Sequence, residues 1–248
     1  TEAVDIPVFH DDQHGTAVVV GAAFINAVKV TGKNPADIKA VVCGAGAAGV
    51  ACTRALLDLG VGDVIACDRA GAIYRGRDGL TPAKDWLART TNKENKSGSV
   101  KDVLAGTDLF LGVSGPNLLR GEDMRVMAKD PIIFALSNPT PEVPPEEVAD
   151  FAAVVATGRS DYPNQINNVL CFPGLFRGLL ESGVKRVTRE MLTAAAKAIA
   201  GVIPDCELSR DYVIASAFNR SVADAVANAV IAVANDSGLS KTPTYFDF

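Results

Sequence analysis

The stretch that most constrains this chain is "VVCGAGAAG", residues 41–49, where a β-branched run breaks into glycines and then into a helix-forming segment. Gly44, Gly46 and Gly49 satisfy G-x-G-x-x-G directly after a predicted strand and at the start of a predicted helix. The first glycine permits a tight turn, the second lets the backbone approach a pyrophosphate, and the third allows the helix to pack against the strand. The helix N-terminus adds unpaired N–H donors and a favourable dipole for phosphate. "AAGVACTRALLDLG" (47–60) reads as that helix, ended by Gly60, and "DVIACD" (63–68) as a second buried strand. A strand–glycine loop–helix–strand unit of this kind is the start of a parallel α/β sheet. Asp68 closes the second strand, 19 residues after Gly49, where a carboxylate can accept hydrogen bonds from an adenosine ribose. Tight helix–sheet packing alone is the competing explanation, and the full strand–loop–helix–acid context favours dinucleotide binding.

Carboxylate repulsion of a 2′-phosphate makes Asp68 favour NAD. Arg69 beside it offers a guanidinium that could stack on adenine or pair with that phosphate, which leaves NADP open.

The same rhythm continues along the chain. Helix patterns fall at 16–32, 81–91 and around 99–106 and 121–129, and strands at 38–43, 108–113, 131–136 and 152–158. Beyond 160 the pattern turns helical, at 168–182, 188–203 and 220–237. The expected fold class is therefore α/β, a doubly wound parallel sheet of Rossmann-like type with added C-terminal helices. The expected organisation is a leading segment and helix at 1–35, a dinucleotide-binding domain at 36–160 and a C-terminal helical part at 161–248, packed on the same domain. The last residues read as a tail whose three aromatics, Tyr245, Phe246 and Phe248, could pack densely.

Composition narrows the partners. Of 248 residues, 48% are hydrophobic and 21% charged, with a net charge of −5, which argues against nucleic acid as a partner. Five cysteines without a CxxC pair, mostly in apolar runs, read as reduced core residues and suggest a cytoplasmic setting. The apolar run 16–28 contains Asn26 and is followed by Lys29, so it reads as a packed helix and no membrane partner is expected. Thr1 opens the chain without a basic leader, so no signal peptide is read, and the chain is taken as a candidate remainder of a longer protein.

"FHDDQHGT" (9–16) holds both histidines, His10 and His14, around Asp11 and Asp12. A four-residue histidine spacing suits zinc on one helical face, but Gly15 and the two aspartates argue against a helix through 10–14. No third histidine exists to complete a soft set. A hard cation on the aspartate oxygens, Mg²⁺ or Mn²⁺, is the better metal reading. The plain alternative is that Asp11 or Asp12 caps the 16–32 helix. Other turn-rich strand ends, "GVSGPN" (112–117) and "ALSNPT" (135–140), place Ser114 and Asn138 at the ligand-binding edge of such a sheet. "GRSDYPNQINNVLCFPG" (158–174) presents Asn167 and Asn168, either as ligand contacts or as an N-cap and turn cluster.

Taken in order, "IPVFHDDQHGTA", "GAGAAG", "CDRAGAIYRGR", "FALSNPTPE" and "ATGRSDYPNQINNVLCFPG" resemble the malic enzymes, and specifically the NAD(P)-binding half and C-terminal helices of their short bacterial type. The resemblance covers residues 5–235. It implies oxidative decarboxylation of L-malate to pyruvate and CO₂ with reduction of NAD or NADP, assisted by Mg²⁺ or Mn²⁺. By resemblance, Asp12 matches a metal ligand, with Asp11 supporting the catalytic network. Gly44, Gly46, Gly49 and Asp68 match the cofactor site. Asn138 and Asn168 match residues at the nicotinamide and malate, and Asn167 a cofactor contact. The family's N-terminal domain, with its catalytic lysine and tyrosine, substrate arginine and further acidic ligands, has no counterpart here. The chain is therefore expected to be one half of an active site, completed by a longer polypeptide or a partner chain, and to form a homodimer or larger assembly. The alternative is a non-catalytic dinucleotide-binding or oligomerisation module.

Overall fold

The computed structural model describes residue 4 and residues 6–240. The aromatic tail expectation for 241–248 therefore lies outside the described residues. Five strands of a six-stranded sheet are parallel: β1 (Lys39–Cys43), β2 (Asp63–Asp68), β4 (Leu109–Gly112), β5 (Ile132–Ala135) and β6 (Val154–Thr157). The two-residue β3 (Gly71–Ala72) pairs antiparallel on the edge beside β2, within a stretch that reads as loop in the sequence. Strand order is β3-β2-β1-β4-β5-β6, so successive strands are added on one side of β1 up to β3 and on its other side from β4 onward. That switch of side opens a crevice above the carboxyl ends of β1 and β4.

Alternation along the strands explains why both faces are covered. Ala40, Val42, Leu109, Leu111, Ile132 and Phe134 point into one core. Val41, Cys43, Phe110, Ile133 and Ala135 point into the other. Strands buried on both faces need helices on both faces. The first core is roofed by α1 (Thr16–Thr31), α2 (Ala47–Asp58), α6 (Phe172–Ser182), α7 (Arg189–Gly201) and α8 (Ser221–Asp236). The second is covered by the short α4 (Val100–Val103) and α5 (Gly121–Met124) with the loop around Val143 and Val148. A third cluster sets α3 (Pro82–Thr90), through Leu87 and Ala88, against Val50, Ala66 and Ile73.

Helix α1 and its leading turn, Asp11–Thr31, are 21 residues, and their most apolar 18-residue window has a mean hydropathy of 1.3. That length and composition would cross a bilayer, but 61% of its most apolar window is buried inside the fold, as the reading of 16–28 as a packed helix expects. Asn26 makes this helix specific to its site. Wholly buried, it donates through Nδ2 to the carbonyls of Ala200 and Val213, both at 3.0 Å. Four of the five cysteines, Cys43, Cys52, Cys67 and Cys171, are buried and free, and Cys206 is exposed.

One local expectation is overturned. The stretch is helical from Asp11 onward, because Asp11–Gly15 forms a single π-helical turn that runs straight into α1, with His10 extended just before it. Gly15 does not break it, since its backbone is right-handed helical at φ −62° and ψ −48°. Asp11 and Asp12 sit in the first turn, where negative charge favours the helix N-terminus. Neither aspartate caps the helix by a side-chain hydrogen bond. The cap works the other way round, His14 Nδ1 accepting the backbone N–H of His10 at 3.0 Å.

Candidate functional site

The glycine loop between β1 and α2 is shaped by contact. Gly44 has φ +119°, and a Cβ there would lie 2.5 Å from the Val113 carbonyl oxygen, so only glycine fits the turn. A Cβ on Gly49 would strike the carbonyl oxygen of Gly44, which is how closely α2 approaches the turn. Nothing stands within 4 Å of a Cβ at Gly46, so its backbone is open to an incoming group. The first N–H groups of α2 face that opening without intrahelical partners. An open cleft of about 1240 Å³ lies over this loop, lined by Gly44, Gly46, Asp68, Arg69, Lys84 and Ser114 among others. A second cavity, among α1, α2 and α7, holds about 150 Å³ and is too small for a dinucleotide.

Asp68 is set into the wall of the large cleft, its side chain 12% exposed. Its carboxylate accepts from Arg77 Nη2 at 2.7 and 2.9 Å, from Lys84 Nζ at 2.6 Å and from the Ala70 N–H at 2.9 Å. Burial alone would raise its affinity for a proton, but the donors from Lys84, Arg77 and Ala70 outweigh it and hold the carboxyl below its ordinary pKa. Sequence reasoning missed Arg77 and Lys84. Nine and sixteen residues from Asp68, they reach it only because β3 and α3 fold back over the end of β2.

The aspartate pair lies outside the lining of this cleft, on the turn that packs against α2. Asn168 Nδ2 donates to Asp11 Oδ2 across 157 residues of sequence. Asp11 Oδ1 is buried and has no hydrogen-bond partner. Burial, then the neighbouring Asp12, raise the Asp11 pKa, and the charge of His10 partly offsets them. Asp12 is exposed. Among the described residues no three His, Cys, Asp or Glu side chains converge as a complete metal cage. Two adjacent carboxylates, one with an unpartnered buried oxygen, nevertheless fit one side of a hard-cation site, whose remaining ligands would come from water, substrate or another part of the protein. The histidines are not positioned for zinc. His14 spends Nδ1 on the His10 backbone, and burial, with the charge of His10, lowers its pKa.

The remaining expected residues divide. Asn167 acts as an N-cap, its Oδ1 accepting the Val169 N–H at 3.0 Å at the head of a 3₁₀ turn, Asn168–Leu170. Asn138 is exposed at the end of β5, before a cis bond to Pro139, outside the cleft lining. Ser114 lies in the cleft wall, its Oγ 3.5 Å from Cys43 Sγ. Glu142, which the sequence did not single out, reaches beneath the Ser114 loop from the β5 side. Its only sequence signal is its place four residues after Asn138 in "SNPTPE".

A family model described as malic enzyme, NAD binding domain, matches residues 13–235. The chain is 52% identical over 240 residues to the NAD-dependent malic enzyme of Geobacillus stearothermophilus, covering 97% of this chain and 50% of that protein. It is 50% identical over 239 residues to the bifunctional malic/malolactic enzyme of Bacillus subtilis (strain 168), covering 96% of this chain and 58% of that one. Among solved structures it is similar to the NAD-dependent malic enzyme of Thermotoga maritima, with a TM-score of 0.88 and 46% identity over 93% of this chain and 61% of the other. The chain thus spans about half the length of the curated relatives it matches.

Proposed function

Because this chain belongs to the malic enzymes and carries their NAD-binding domain, we propose that it supplies the cofactor half of an enzyme converting L-malate to pyruvate and CO₂. The observation that carries the reading is the bond from Asn168 to Asp11, which joins the C-terminal asparagine segment to the carboxylate pair beside α2. The glycine loop and the N-terminus of α2 bind the pyrophosphate, with Gly46 giving the closest approach. Asp68, held by Arg77 and Lys84, orients the adenosine ribose. These two cations offset the repulsion that Asp68 alone would exert on a 2′-phosphate, so the adenosine end accepts NAD by hydrogen bonding without strongly excluding NADP.

At the other end, Ser114 and Asn138 flank the nicotinamide, Asn168 holds Asp11 in place and orients malate, and Asn167 shapes the turn beneath. Asp12 is the metal ligand on this half, with Asp11 at its side. When bound, NAD(P)⁺ supplies the hydride acceptor, and Mg²⁺ or Mn²⁺ supplies Lewis-acid stabilisation of the charge left as the carboxyl group departs. A homodimer or larger assembly in a cytoplasmic setting accords with the family resemblance and the four buried free thiols.

The test pairs binding with turnover in the complete protein. Wild type should bind NAD(P)H and reduce NAD(P)⁺ with malate and Mn²⁺. Asp12→Ala should keep dinucleotide binding but lose about a hundredfold or more of the metal-dependent turnover. Dinucleotide binding by wild type without any malate turnover would favour the non-catalytic module, and absence of dinucleotide binding would overturn both.

A further inference from the structure

Glu142 is wholly buried, 0% exposed, in a region with no cation beside it among the described residues. Its Oε1 accepts the Ser114 N–H at 2.9 Å and its Oε2 accepts the Ser137 N–H at 3.0 Å. Ser114 follows β4 and Ser137 follows β5, so one carboxylate pins the carboxyl ends of two neighbouring strands. The backbone repeats the tie, with Asn117 N–H donating to Pro141 O and Leu119 N–H to Glu142 O, both at 3.0 Å. Room for the carboxyl comes from Gly112, the last residue of β4, where any Cβ would strike Glu142 Cδ.

An unpaired buried carboxylate is a costly way to fill space, and an apolar side chain would fill it more cheaply. What a carboxylate adds is two acceptor oxygens at a fixed separation, able to hold two backbone N–H groups from different loops at once. Those loops carry Ser114, in the wall of the dinucleotide cleft, and Asn138. We propose that Glu142 is a positioning residue for the nicotinamide end of the cofactor: it touches no ligand, but fixes the β4 and β5 loops against which the ring is placed. This rests on the dinucleotide reading above and adds to it a division of labour. The adenosine end is organised by Asp68, Arg77 and Lys84, and the nicotinamide end by a buried clamp.

The experiment compares ADP, which reports the adenosine end, with NAD(P)H, which reports both ends, on the complete protein. Glu142→Gln offers one acceptor and turns an amide NH₂ toward the other loop N–H. It should bind ADP as wild type does, bind NAD(P)H about tenfold more weakly, and show a raised KM for NAD(P)⁺ with a lowered kcat. Gly112→Ala, which leaves the carboxylate intact but displaces it, should give the same nicotinamide-selective loss. Equal loss of ADP and NAD(P)H binding, or no loss of either, overturns the positioning role. Should the variants fail to fold, amide exchange in the wild type decides. Slowing at Ser114 and Ser137 by NAD(P)H but not by ADP supports the clamp, and equal slowing by both overturns it. A wild type that binds ADP and NAD(P)H not at all overturns the dinucleotide reading instead.

Discussion

At the scale of single residues, Asp68 shows how a position can be legible in sequence and its state not. Its place at the end of the second strand follows from spacing, whereas its two cationic partners follow from the fold-back of 71–90. The carboxyl titrates below its ordinary value because Lys84 and Arg77 outweigh the effect of burial. A depressed folded-state pKa means that its stabilising contribution is present above the unfolded pKa of 3.8 and disappears as pH falls through the folded value. Asp68→Asn should therefore lower stability by ~1–3 kcal/mol at neutral pH. The gap from wild type should close in strong acid, as denaturant titrations across pH would show. Removing the charge also leaves Arg77 and Lys84 free for a 2′-phosphate. The ratio of kcat/KM for NADP over NAD should rise about tenfold in Asp68→Ala, read from steady-state kinetics with each cofactor. His14 makes the complementary point. Its spacing from His10 suggests a ligand pair, yet the ring nitrogen is taken by a backbone N–H four residues away.

Among the elements, those with strong periodicity were legible to within a residue or two. The expected helices at 81–91, 188–203 and 220–237 correspond to Pro82–Thr90, Arg189–Gly201 and Ser221–Asp236. The first helix, expected at 16–32, is Thr16–Thr31, but the helical turn before it, Asp11–Gly15, was not legible, because a glycine and paired aspartates ordinarily mark a turn. Here Gly15 takes ordinary helical angles, and the site is kept for glycine because the Asp11 carboxylate and Asn168 lie against it and leave no room for a side chain. That five-residue extension lifts the aspartates out of a loop and onto a rigid helix end. The same helix is anchored at its middle by Asn26, whose amide joins the end of α7 to the segment before α8. Asn26→Ala would leave two buried carbonyls without their donor and open a small void. A loss of ~2–4 kcal/mol in chemical denaturation is expected, with little change in dinucleotide affinity in the folded fraction.

For the whole molecule, this chain is proposed to be the cofactor half of a longer enzyme. Expressed as these 248 residues, the chain should bind NAD(P)H, measured by fluorescence, yet produce little or no NAD(P)H from malate and Mn²⁺. Turnover should appear when the part of the relatives that lies outside the match is supplied, and robust turnover by the chain alone would contradict the proposal. Sequence by itself determined the sheet class, the glycine loop, the acid at the end of β2 and the family, because these are set by local periodicity and by residue types at short, fixed spacing. Tertiary structure alone decided that Asn168 meets Asp11, that Arg77 and Lys84 neutralise Asp68, and that Glu142 clamps two loops. Each of these is a contact between groups brought together by chain reversals, and a carboxylate's partner depends on where the backbone returns, which no local pattern encodes.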